Sequence, residues 1–94
     1  HIPKSIKHFN YLNLSSCNNL KKLPDNLVIS NILNISYSNI RTLPKKLHTR
    51  SLFIKNTKIK VLPLDLIVTD YIYISKDMEN IKNFDKFKDK IVII

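Results

Sequence analysis

Hydrophobic positions along the chain fall into a short recurring pattern. An apolar–x–apolar triplet appears five times, as Leu12-Asn13-Leu14, Leu33-Asn34-Ile35, Leu52-Phe53-Ile54, Ile72-Tyr73-Ile74 and Ile91-Val92-Ile93. The triplets start 21, 19, 20 and 19 residues apart. A Pro-marked motif runs in step with them: Ile2-Pro3-Lys4-Ser5-Ile6, Leu23-Pro24-Asp25-Asn26-Leu27, Leu43-Pro44-Lys45-Lys46-Leu47 and Leu62-Pro63-Leu64-Asp65-Leu66. In the last unit Asn83-Phe84-Asp85-Lys86-Phe87 stands in its place, and the triplet keeps its spacing. A further apolar residue follows each of the first four triplets, at Leu20, Ile40, Ile59 and Ile81.

Alternation of apolar and polar residues is the period of a strand, whose successive side chains point to opposite faces. The pattern predicts five short strands near residues 11–14, 32–35, 51–54, 71–74 and 91–94. Between them, proline fixes φ and lacks an N–H, so the connections should be extended or turn-like and not helical. Residues 76–88 are the one stretch with room for a turn or two of helix, and Lys76 to Asn80 should form a bulged loop. One unit cannot bury its apolar side alone. Units stacked at a spacing near 20 residues bury a continuous core between parallel strands and their returns. The expected fold is a mainly β repeat solenoid with parallel strands on one side and irregular returns on the other.

These residues resemble the leucine-rich repeat pattern L-x-L-x-x-N-x-L-x-x-L-P, and Leu33-Asn34-Ile35 to Ile40 to Leu43-Pro44 carries the likeness best. The spacing is similar to the short Leu-Pro type of bacterial effector repeats, and the resemblance covers essentially all of residues 1–94. It departs from the family at the turn, where Asn is usual. Aligned from the third apolar residue, that position holds Asn18, Ser38 and Thr57; aligned from the triplet, the first unit offers Cys17. Ser and Thr bond backbone groups locally, so a less regular spine is expected. Cys17 at this turn should be buried and inert. The single domain holds four to five repeats and looks uncapped at both ends, as a fragment of a longer protein would.

Composition narrows the reading. With 44% hydrophobic residues the chain should fold. No apolar run reaches the ~20 residues that span a bilayer. Glycine is absent, which excludes glycine-rich phosphate loops and leaves the turns to Asn, Asp, Ser and Pro. One Cys cannot form an internal disulfide, which favours a cytoplasmic setting, including a host cytoplasm for an effector or viral protein. The three His and one Cys show neither metal-ligand spacing nor a catalytic pairing, so no cofactor, metal or enzymatic activity is expected. The net charge of +9 favours acidic partners.

The resemblance implies that a partner protein binds on the concave face, built from outward-pointing strand residues. Those are Tyr11, Asn13 and Ser15; Ile32, Asn34 and Ser36; Ser51, Phe53 and Lys55; Tyr71, Tyr73 and Ser75; and Lys90 and Val92. Aromatic residues on a rigid sheet dominate binding hot spots. The candidate partner-binding residues are therefore Phe53, Tyr71, Tyr73, Lys55, Tyr11 and Asn34. Among bacterial effectors such repeats present substrates to an attached ubiquitin-ligase domain, so an adaptor role is the implied form of this function. Two alternatives stand beside it. One is binding of nucleic acid or another polyanion through the basic surface; the other is a structural spacer, in which the aromatic residues only stack along neighbouring strands.

Overall fold

The computed structural model describes residues 8–94. The first Pro-marked motif, Ile2 to Ile6, lies outside the described residues. The protein is mainly β: one small sheet of parallel strands with little helix. Its strands are β1 His8–Asn13, β2 Val28–Asn34, β3 His48–Phe53, β4 Ile67–Val68, β5 Ile72–Ile74 and β6 Ile91–Ile93. The sheet order is β1-β2-β3-β5-β6, with β4 also pairing β3. Every pairing is parallel and joins residues about 20 positions apart: Leu12 with Leu33, Leu33 with Leu52, Leu52 with Ile72, and Ile72 with Ile91.

All five predicted strands form, and the first three begin three or four residues earlier than the triplets imply. A second inward row explains this. Leu27 and Ile29 are buried, as are Leu47 and Thr49, and Leu66 and Val68. The same alternation therefore starts directly after the Pro turn, and β-branched residues support it. Between the two inward rows the units differ in length. Two residues, Ser30 and Asn31, separate Ile29 from Ile32, where Arg50 alone separates Thr49 from Ser51, and the register shifts there. The next unit has one residue more between Val68 and Ile72, and its strand breaks into β4 and β5. The break is held by the Asp70 N–H donating to the Arg50 carbonyl at 2.8 Å and by an exposed Arg50–Asp70 ion pair at 3.5 Å. An exposed pair of this kind adds little stability.

The core lies between the sheet and its returns. Leu33, Leu52 and Ile72 form one wholly buried row, and Ile35, Ile54 and Ile74 form the next. Leu23, Ile40, Leu43, Ile59, Leu62 and Ile81 pack against them from the returns. In the first unit Phe9, Leu12, Leu14 and Leu20 are only partly buried, because β1 is the edge strand. In the last unit Phe87 is buried where the earlier units place leucine, and two short 3₁₀ segments, Lys76–Met78 and Phe84–Lys90, replace the extended return. The predicted bulged loop at Lys76 to Asn80 is thus a 3₁₀ turn, whose buried Met78 fills the space under it. Among the described residues no helix is long and apolar enough to cross a membrane.

Turn chemistry repeats as well. The Ser38 hydroxyl donates to the Ile35 carbonyl at 2.7 Å, and Thr57 donates to Ile54 at 2.8 Å. The Cys17 N–H bonds the Leu14 carbonyl at 3.2 Å, as the Ser38 N–H bonds that of Ile35 at 3.3 Å, so alignment from the triplet is the one the fold adopts. Cys17 is exposed and free, not buried. Its equivalents Ser38 and Thr57 are covered by units on both sides, whereas Cys17 follows the edge strand.

Without glycine, six other residues among those described take positive φ: Ser16, Asn26, Tyr37, Lys46, Asn56 and Asn83. Asn tolerates this region, but Lys does so at a cost of about 1–2 kcal/mol. Lys46, with φ 57°, lies in the turn after Pro44. Its N–H bonds the Asp65 carboxylate, a contact that glycine retains. Lys46→Gly should therefore raise stability by about 0.5–1 kcal/mol once the extra freedom of unfolded glycine is counted. Asn26→Gly should change little. Urea midpoints of the two variants check this.

Candidate protein-binding face

The register places the middle residues of the triplets side by side. Asn13, Asn34, Phe53, Tyr73 and Val92 form one row across the outward face of the sheet. Tyr11, Ile32 and Ser51 form the adjacent row. Tyr71 continues it on the fourth unit, where its carbonyl accepts the Leu52 N–H at 2.9 Å.

Neighbouring parallel strands lie about 4.8 Å apart, close to the stacking distance of two aromatic rings. Phe53 and Tyr73 use this. Their ring centroids are 4.2 Å apart with planes inclined by 12°. Tyr71 meets Tyr73 at 6.1 Å and 60°, a tilted contact. Tyr71 remains 44% exposed, so the trio presents a broad aromatic surface to solvent. Asn34, beside Phe53 on β2, uses its Oδ1 to accept the Ser36 N–H at 3.0 Å. That bond fixes the amide.

Two of the candidate residues stand apart from the trio. Tyr11 is 59% exposed on β1, two strands from Phe53, and its hydroxyl accepts a hydrogen bond from Asn31 Nδ2 at 2.9 Å. Lys55 lies just past β3, with its Nζ 6.0 Å from the Tyr37 ring centre. That is the limit of a cation–π contact, so Lys55 belongs to a second aromatic feature around Tyr37 and not to the trio.

The strand face also holds residues that the triplets alone do not reveal. Val28 and Ile67 sit opposite His48 on either side, and Ile67 is 52% exposed. They lie at the start of the strands, separated from the aromatics by exposed His48, Arg50 and Thr69. The signal was the longer alternation that starts after each Pro turn. Conversely, three outward serines are buried. Ser36 and Ser75 accept the N–H groups of Lys55 and Asn56, each at 3.1 Å, from the one unit that lies between them. Ser51 is also buried. The Ser36 and Ser75 hydroxyls tie the units together, so they offer nothing to a partner.

Other chemistry finds no assembled site. His8 Nε2 and Ser30 Oγ are 2.9 Å apart, but the pair is exposed on the edge of the sheet. Among the described residues no group of three or more His, Cys, Asp or Glu side chains could hold a metal. Comparison with known proteins finds no matching family model, no similar curated protein and no similar solved structure.

Proposed function

We propose that the chain is a leucine-rich-repeat-like solenoid and a non-catalytic protein-interaction module, whose partner docks on the outward strand face. One observation carries this reading: Phe53, Tyr73 and Tyr71 form a continuous, solvent-facing aromatic surface on a rigid sheet. Large rings with few rotatable bonds lose little entropy on binding and bury much area. Half-buried Ile32, in the row that Tyr71 continues, adds apolar area, and contiguous apolar patches on soluble surfaces mark interaction sites. The parallel pairing of residues about 20 positions apart, with the same turn bonds at Ser38 and Thr57, supports the repeat architecture. The excess of Lys and Arg favours a partner with an acidic rim around an apolar centre. A cytoplasmic setting and an adaptor role, with any attached activity residing in other segments, complete the proposal.

Tyr73 and Phe53 are half-buried, so their replacement trims a surface stack and leaves the core intact. The double variant Phe53→Ser/Tyr73→Ser should stay folded by circular dichroism. It should lose the partners that the wild type retains in cross-linking and mass spectrometry from cell extract. An unchanged set of cross-linked partners would remove the strand face from consideration.

A further inference from the structure

A second ordered surface lies on the return side. In each of the first four units the residue directly after the third apolar position is a cation: Lys21 after Leu20, Arg41 after Ile40, Lys60 after Ile59 and Lys82 after Ile81. All four are exposed, while Ile40, Ile59 and Ile81 are buried beneath them. Backbone contacts bring the returns together. The Lys82 N–H donates to the Lys60 carbonyl at 2.9 Å, the Leu62 N–H donates to the Lys82 carbonyl at 3.0 Å, and Val61 and Lys82 form a parallel bridge. At the other end Asn39 Nδ2 donates to the Asn18 carbonyl at 2.6 Å, which holds the first two returns side by side. In the middle, Arg41, Lys58 and Lys60 line one shallow groove floored by Ile59 and Met78, with Asp77 as its acidic member.

We infer that this row binds the phosphate backbone of a single-stranded nucleic acid, independently of base sequence. Lys82 pairs with Val61, next to Lys60, and Lys60 shares a groove with Arg41, so the cations form one narrow strip and not a scattered surface charge. None of the four is in an ion pair among the described residues, where Arg50–Asp70 is the one pair. Asp25 and Asp65 accept the N–H groups of Lys45 and Lys46, and Asp77, Glu79 and Asp85, the acids nearest Lys60 and Lys82, form no ion pair with them. An unneutralised line of like charges concentrates counter-anions, and a polymer of fixed anions gains by releasing them. A single line tracks a single strand. No aromatic residue stands among the four cations, so the row has no platform on which bases could stack. The trio on the strand face lies on the other side of the buried core, so the two surfaces are separate.

The test is fluorescence anisotropy with labelled oligothymidylate and a mixed-sequence oligonucleotide of equal length. Both should bind alike, with a log–log salt slope of about −3 for about four phosphate contacts. Neutralising Lys21, Arg41, Lys60 and Lys82 to Gln should weaken binding by about tenfold or more. Neutralising Lys45, Lys46, Lys76 and Lys88 removes the same charge elsewhere and should cost much less. The pair Arg41→Gln/Lys60→Gln serves if the quadruple row variant fails to fold, and should show an intermediate loss. Equal losses in the row and control sets would overturn the inference, since net charge alone would then explain binding. A strong base preference, loss on Phe53→Ser/Tyr73→Ser, or no binding at low salt would overturn it as well.

Discussion

Leu52→Ala should cost about 3–5 kcal/mol, at the upper end of what a buried leucine truncation costs. Leu52 is wholly buried on β3, the middle strand of the sheet, and pairs Leu33 on one side and Ile72 on the other. Units pack closely on both sides, so the hole left by the missing atoms cannot collapse and its walls lose their contacts. A domain of this size has about 5–15 kcal/mol of stability in all, so the loss removes a large share of it. Leu20→Ala gives the contrast. Leu20 belongs to the first unit and is only partly buried, so its truncation should cost about a third as much. Urea denaturation of both variants measures the difference. Equal costs would mean that β3 is not the most tightly enclosed part of the core.

The two substitutions also mark how far the pattern of the chain foretells its fold. Spacing of Leu12, Leu33, Leu52, Ile72 and Ile91 identifies the inward row and the parallel pairing, because a strand buried on one face must repeat its apolar residues at each unit. The earlier row at Leu27/Ile29, Leu47/Thr49 and Leu66/Val68 was equally regular. It is harder to read because Thr49 is polar, and because Ser30 and Asn31 shift its distance from the triplet. Thr49 is buried because its hydroxyl is satisfied by the Ser51 carbonyl at 3.0 Å, a bond invisible to a hydrophobicity pattern. The 3₁₀ segments fall where the chain left room for a turn or two of helix, over residues 76–88, although the pattern also pointed to a bulged loop at Lys76 to Asn80.

At the strand face, adjacency of Phe53 and Tyr73 follows from their shared place in the triplet. Tyr71 next to them follows from the alternation. What the sequence does not carry is direction along the rim: Lys55 turns to Tyr37, whose positive φ redirects the chain after β2. Nor does it separate outward serines from structural ones. Ser36 and Ser75 become buried because the adjacent unit's turn supplies N–H donors to them. Exposure of Cys17 has a similar origin, since its neighbours differ from those of Ser38 and Thr57 although the local turn is the same.

If each unit of about 20 residues is structurally equivalent, one can be removed whole. Deleting residues 34–52 joins Leu33 to Phe53. Because Leu33 and Leu52 are register partners, the junction keeps the alternation of inward and outward positions. The sheet then loses one strand, and every remaining strand keeps a neighbour of the same kind. Deleting residues 34–43 removes half a unit and joins a strand directly to the Pro44 turn, so no register survives. Thermal and urea unfolding of the two deletions, followed by circular dichroism, is the most direct measurement of the repeat architecture. The whole-unit deletion should keep a β spectrum and a cooperative transition at lower stability, while the half-unit deletion should be unfolded. Loss of cooperative folding in both would contradict the account.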